Sequence, residues 1–223
     1  DVVVPEGTTL TIDPDATILL QPGVDIYVRG VLRIEGAVAH PVIFMPADLS
    51  QTWGGIITTS SAPAVIEATG AIFVGSGADG NWFDDHGDYT THRDEQALVL
   101  LDRARAAFTD CAFLDGLGQF GHGRRAQLEM TRCIVQRFIT GGEFVGGSVT
   151  LNRCAFVEFP VDSPEYLDED NDGIYFTEGT HVLRGTLVGW AKDDAVDAGS
   201  GGAGSVLVTN CWIEAAYHEG LAW

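Results

Sequence analysis

Apolar and polar residues alternate along this chain in short stretches that recur. Ala126-Gln127-Leu128-Glu129-Met130-Thr131 places every second residue on one face, as a half-buried strand does. Ser148-Val149-Thr150-Leu151-Asn152, His181-Val182-Leu183-Arg184 and Ser205-Val206-Leu207-Val208-Thr209 repeat the pattern. Each is followed by a second short apolar run and then by a turn containing Gly or Asp. Toward the N-terminus, Val2-Val3-Val4, Ile18-Leu19-Leu20, Ile26-Tyr27-Val28, Val31-Leu32-Arg33-Ile34 and Val42-Ile43-Phe44 predict further strands. No segment offers a dozen residues of helical period with caps at both ends, so the expected fold class is all-β. Two polar stretches break the rhythm, near residues 76–95 and 162–173, and both read as insertions. No linker or shift in composition divides residues 1–223 into separate domains.

The cysteines give the repeat its period. Cys111, Cys133, Cys154 and Cys211 sit in nearly the same context (TDCAF, TRCIV, NRCAF, TNCWI), and the first three are 22 and 21 residues apart. Self-similarity at that spacing marks a solenoid, in which residues one period apart stack on neighbouring coils about 4.8 Å apart. The cysteines then form a column of small buried side chains, with free thiols preferred over a disulfide. Gly185 falls at the cysteine position of the intervening coil. No CxxC pair is present, which argues against a zinc ribbon.

Charge narrows the partners. The chain carries 32 acidic and 12 basic side chains, a formal charge of −20, and Lys192 is its single lysine. Nucleic-acid binding needs clustered Lys and Arg, so it is not expected. The apolar runs are too short and too interrupted for a transmembrane helix. With 45% hydrophobic residues the chain can still fill a core. The start at Asp1 without Met points to a mature or trimmed form, and the composition to a secreted or cell-surface monomer.

The opening VPEGTTLTIDPDATILL, then GVLRIEGAVAHPVIF and WGGI, resembles the entry coils of the right-handed parallel β-helix, or pectin-lyase-like, superfamily of secreted bacterial proteins. That resemblance covers nearly the whole chain and implies a single-stranded right-handed parallel β-helix, and the chain length divided by the repeat period gives roughly eight or nine coils. The final Gly220-Leu221-Ala222-Trp223 still reads as mid-coil sequence, so the natural protein is expected to continue past Trp223.

The chemistry gathers in the last third. Aligning the preceding strands puts Asp172, Asp194 and Glu219 in one column and Asn171, Asp193 and His218 in the next. Stacked on a β-helix, such carboxylates would stand roughly 5 Å apart. Each neighbouring pair would repel by about 3 kcal/mol at an effective dielectric of about 20. A hard cation such as Ca²⁺, or a shared proton, would relieve this, and solvated turns remain the plain alternative. Asp168-Glu169-Asp170-Asn171-Asp172-Gly173 also opens like a calcium loop, although position 179, where its closing Glu belongs, is Gly.

Within the superfamily the acids resemble two enzyme sites. Similarity to calcium-dependent pectate lyases implies Asp172, Asp193, Asp194 and Asp197 as metal ligands. There Ca²⁺ acidifies a uronate C5 proton and a basic side chain removes it, with Lys192, Arg184 and Arg137 as candidates. Similarity to polygalacturonases implies instead an acid/base pair among Asp172, Asp193 and Asp194, with His218 beside them. Many surface proteins of this fold are spacers or sugar platforms, so a structural or glycan-binding module is the non-enzymatic alternative. Trp190, Trp212, Tyr217 and Trp223 lie near the acids in sequence and could stack on a sugar or fill the core. Trp82, Asp84, Asp85, His86, Asp88 and His92 in the first insertion read as a polar loop or a metal site, and Gly121-His122-Gly123 as a turn. The resulting expectation is a secreted, Ca²⁺-binding, carbohydrate-active domain closest to a polysaccharide lyase.

Overall fold

The computed structural model describes residues 1–59, 61, 63–87, 89, 91–159, 170–199 and 204–223. The described residues form 23 strands and one short helix, so the protein is all-β. Every ladder between these strands is parallel, and each strand except those at the two ends bonds to one a coil earlier and one a coil later. Ladder one runs from Val2–Val4 through Ile26–Val28, Ile56–Thr58 and Ala97–Asp102 into Gln119–Thr131. It continues through Glu143–Asn152, Tyr175–Thr177 and Val196–Asp197 to Leu221–Ala222. A second passes from Thr9–Ile12 to Ser205–Thr209, and a third, in its own sheet, from Thr17–Leu20 to Trp212–Glu214. The arrangement is compatible with a β-helix.

Alternation in the sequence becomes inside and outside. In Val31–Glu35 and Val65–Thr69 the second and fourth residues, Leu32, Ile34, Ile66 and Ala68, are buried. Their neighbours Arg33 and Glu67 point out and form a hydrogen-bonded pair across the coils. Like side chains stack along the axis: the rings of Phe44 and Phe73 are 4.8 Å apart, and those of Phe73 and Phe113 5.0 Å apart and nearly coplanar in orientation, at 3°. Parallel strands impose that spacing, so one aromatic per coil at the same inward position becomes a continuous stack.

The cysteine column forms as free thiols, with Cys111, Cys133 and Cys154 buried and Cys211 partly so. Gly185 does not occupy it. Ala155 pairs with Leu187 and Leu187 with Trp212, which puts Thr186 between Cys154 and Cys211. Cys154 N–H donates to Thr186 Oγ1 at 3.3 Å, so the hydroxyl replaces the thiol as a small group with a local partner. Gly185 belongs to the corner one residue earlier, where Asp110, Arg132, Arg153 and Asn210 share its left-handed conformation, φ 53–57°. The N–H groups of Asp110, Arg132 and Arg153 each donate to a carbonyl of the next coil, which offsets the cost of that backbone.

The first insertion is a cover. Its short helix, Trp82–His86, turns the buried Trp82 and Phe83 onto Ile57, Ala97 and Leu100 on the outer face of ladder one, making a second small core. Gly121-His122-Gly123 is strand, not turn, lying within Gln119–Thr131. The glycines make room for Phe144, since a Cβ on Gly123 would stand 2.5 Å from its ring. His122 faces outward beneath Phe83 and Tyr89 and is 1% exposed. Among the described residues, no helix is long and apolar enough to cross a membrane.

Candidate functional site

The acids lie where ladder one approaches its last coils. Tyr175 pairs with Asp197, and Val196 with Leu221. Counting back along that register stacks Asp172, Asp194 and Glu219 in one column and Asn171, Asp193 and His218 in the next. The backbone bonds agree: Gly173 N–H donates to Asp194 O at 2.8 Å, Ala195 N–H to Glu219 O at 2.9 Å, and His218 N–H to Asp193 O at 3.2 Å. Gly173 permits this close stacking, because a Cβ there would stand 2.4 Å from Ala195 O.

Side chains link the coils as well. Asp172 Oδ1 accepts the Asp194 N–H at 3.1 Å, and Asp194 Oδ1 accepts the Glu219 N–H at 2.8 Å. His218 Nδ1 lies 3.1 Å from Asp194 Oδ1 and 3.3 Å from Asp193 Oδ1. Asp172, Asp193 and Asp194 are 2%, 5% and 6% exposed, whereas the His218 side chain is about half exposed. Burial pushes the Asp172 carboxyl up to about 8. The Asp194 N–H opposes that shift, and the charges of Asp197, Asp193 and Asp194 reinforce it. Burial, with help from the Asp194 and Asp170 charges, also raises Asp197, against the Gly199 N–H that its carboxylate accepts.

A strap crosses this face. His92, from the end of the first insertion, donates its N–H to Glu143 Oε2 at 2.9 Å. Its Nδ1 is 3.5 Å from Asp170 Oδ1, and its ring meets the Tyr175 ring edge-on at 4.5 Å between centroids. Glu143 and Tyr175 stand in the outward column that ends at Asp197 and Ala222. Burial raises the Glu143 carboxyl, and burial with the Asp197 and Glu143 charges lifts Tyr175 to about 12. The insertion therefore reaches Glu143, Asp170 and Tyr175 at the edge of the acid columns.

The remaining predicted residues divide. Asp197 and Asp170 border the cluster, and Glu219 touches it through its backbone while its side chain is exposed. Lys192 directly precedes Asp193 but is buried, 3% exposed. Arg184 is on the second ladder, between Asn152 and Thr209, away from the acid columns. Trp190 is exposed at a left-handed corner in register with Glu158 and Ala215, and Tyr217 is exposed next to His218. Asp168 lies outside the described residues. Glu143 and Tyr175 escape a reading centred on Asp motifs, although aligning GGEFVGG with DGIYFTEG already places them in one column.

One group of ligand atoms among the described residues is compact enough for an ion. Asp193, Asp194 and His218 each offer one, all within 4.8 Å of one another. Comparison with protein-family models, curated proteins and solved structures finds no match for this chain.

Proposed function

We propose that the chain is a right-handed parallel β-helix of the pectin-lyase-like kind, secreted or displayed at a cell surface, and that it is a Ca²⁺-bound, glycan-binding module. The ion would be held by Asp193 and Asp194, whose ligand atoms gather with that of His218, and the neighbouring carboxylates of Asp172 and Asp197 would share in its charge. The observation that carries this reading is the set of carboxylates on successive coils, nearly excluded from water, in which Asp193, Asp194 and Asp197 all act against the charge of Asp172. Hard oxygen donors of this kind suit Ca²⁺, and clustering them without a cation is costly. Burial of the acids supports an enclosed ion that joins coils over an open catalytic one. The exposed Tyr217 and Trp190 supply amphipathic rings on which a sugar can stack.

Polysaccharide lyase chemistry is the second reading, favoured by His218. Its exposed imidazole beside Asp193 and Asp194 is placed to take a proton, a role that neither the buried Lys192 nor the distant Arg184 fits. In that case the bound ion would neutralise a uronate carboxylate of the substrate. The same residues with Asp172 as proton donor give a polygalacturonase-like hydrolase, a reading to which the 2% exposure of Asp172 lends little support.

Calorimetric titration with Ca²⁺, beside thermal melts with and without chelator, tests the proposal. At a free concentration about 100 times Kd, binding adds about 2.7 kcal/mol to stability. The pair of changes Asp193→Ala and Asp194→Ala should abolish that increment. Absence of binding at millimolar Ca²⁺ would remove the ion from the reading. Loss of uronate-polymer cleavage in the same variant, with melting unchanged, would favour the lyase.

A further inference from the structure

A second cleft, of about 390 Å³, opens on the outer face of ladder one on the other side of the insertion helix. It is lined by Asp25, Tyr27, Asp79, Trp82, His86 and Gln96. Asp25 stands just before Ile26–Val28, five strands along the ladder from Tyr175–Thr177, or roughly 24 Å at the usual strand spacing. Its carboxylate is built in. Asp25 Oδ1 accepts the Gly55 N–H at 2.9 Å and Gln96 Nε2 at 2.7 Å. A Cβ on Gly54 would come within 1.9 Å of that oxygen, so glycine is needed to admit it. Asp25 as a residue is 8% exposed, yet its Oδ2 receives only the Tyr27 hydroxyl, at a long 3.4 Å, among the described residues.

The rest of the lining is also short of donors. Asp79 Oδ1 accepts the Asn81 N–H at 2.9 Å, which fixes that carboxylate at the rim. His86 Nδ1 is 2.6 Å from Trp82 O, so it carries the proton, and the ring lies flat on Trp82 with 3.9 Å between centroids. The Asp25, Asp79 and His86 ligand atoms do not gather within 4.8 Å as those of Asp193, Asp194 and His218 do. The cleft has the volume of a small-molecule site, and its carboxylates face no Lys or Arg in the lining, only the His86 ring. A ligand rich in N–H and O–H donors, with positive charge, is complementary to it, and the chain's charge of −20 favours its approach. Burial holds the Asp25 carboxyl above its ordinary value, and an ammonium against Oδ2 would relieve that cost.

We propose that this cleft binds an amino sugar, with its ammonium between Asp25 and Asp79 and its ring hydroxyls toward Tyr27 and Gln96. The choice of a sugar as carrier of the ammonium rests on the carbohydrate reading above; the choice of the ammonium does not. Titration of the full chain with glucosamine, glucose and methylammonium, followed by NMR or calorimetry, tests it. Glucosamine should bind at millimolar concentration and glucose at least tenfold more weakly. Asp25→Asn and Asp79→Asn should each weaken glucosamine at least tenfold and leave Ca²⁺ binding at the acid columns intact. If Asp25→Asn lowers the melting temperature, Asp79→Asn decides, because an Asn there keeps the oxygen that accepts from Asn81. Glucose binding as tightly as glucosamine, or folded Asp79→Asn binding it unchanged, overturns the proposal. Methylammonium binding as tightly as glucosamine overturns the sugar. Calcium binding without glucosamine binding overturns this cleft alone, and the reverse result overturns the ion at the acid columns alone.

Discussion

Replacing His122 with leucine should flatten the acid limb of the stability curve. His122 is enclosed under Phe83 and Tyr89, with no hydrogen-bond partner for Nδ1 among the described residues. Burial, and to a lesser degree the Arg124 charge, takes its pKa down to about 3, against the opposing influence of Asp102. The unfolded chain binds this proton near pH 6.5, so between pH 6.5 and 3 the unfolded state holds more protons than the folded one. The neutral ring's contribution is complete above pH 6.5 and is lost as pH falls toward 3, on the order of 5 kcal/mol across the window. Leucine has no proton to gain and leaves no nitrogen unpaired, so the variant should match or exceed the parent at pH 7 and lose less below pH 6. Urea unfolding at a series of pH values measures both slopes. Equal acid slopes would show that the ring does not stay neutral and enclosed.

Phe73→Ala should cost about 3–5 kcal/mol, the range for removing a buried aromatic where the surroundings cannot collapse. Phe73 is fully buried, stacked between Phe44 and Phe113 and edge-on to Phe108. Its neighbours are held at the strand spacing by parallel ladders on both sides, so the gap cannot close by drawing the coils together. Phe73→Leu should cost less, because it keeps most of the volume. A denaturant midpoint that barely moves for Phe73→Ala would mean that the stack rearranges and that packing here is looser than its geometry indicates.

The all-β class and the coil period were legible because one rule, inward residue alternating with outward, repeats in Val31–Glu35, Val65–Thr69 and Arg105–Thr109. The two columns through Asp172 and Asp193 could be read from spacing alone, since parallel pairing without slippage converts sequence offset into stacking. Corners were harder. A one-residue shift put Gly185 in the cysteine column because glycine is small, whereas the left-handed backbone it shares with Arg132 and Arg153 has no side-chain signature. The cover was harder still. Nothing periodic in residues 76–95 says that Trp82 and Phe83 fold back onto Ile57 and Leu100, or that His92 reaches Glu143. These contacts join segments up to 51 residues apart and depend on where the coils already are. The roles of Lys192 and Arg184 depended on the same missing information, for burial and facing direction are properties of the stack and not of the motif.

The left-handed corners also act as a check on coil order. At one corner Asp115, Arg137 and Glu158 follow one another on successive coils and pair in turn, negative, positive, negative. Deleting the coil that carries Arg137 would bring Asp115 against Glu158, two carboxylates with no cation between them. The opposite corner is more permissive: Asp110 pairs with Arg132, and removing that coil would offer it Arg153 instead. Exposed pairs of this kind contribute only about 0–1 kcal/mol each, so they do little to hold the stack together. Their consequence is for heredity. Repeats of such similar sequence invite loss or duplication by unequal recombination, and the first corner makes the product of one such event self-repelling where the second lets it pass.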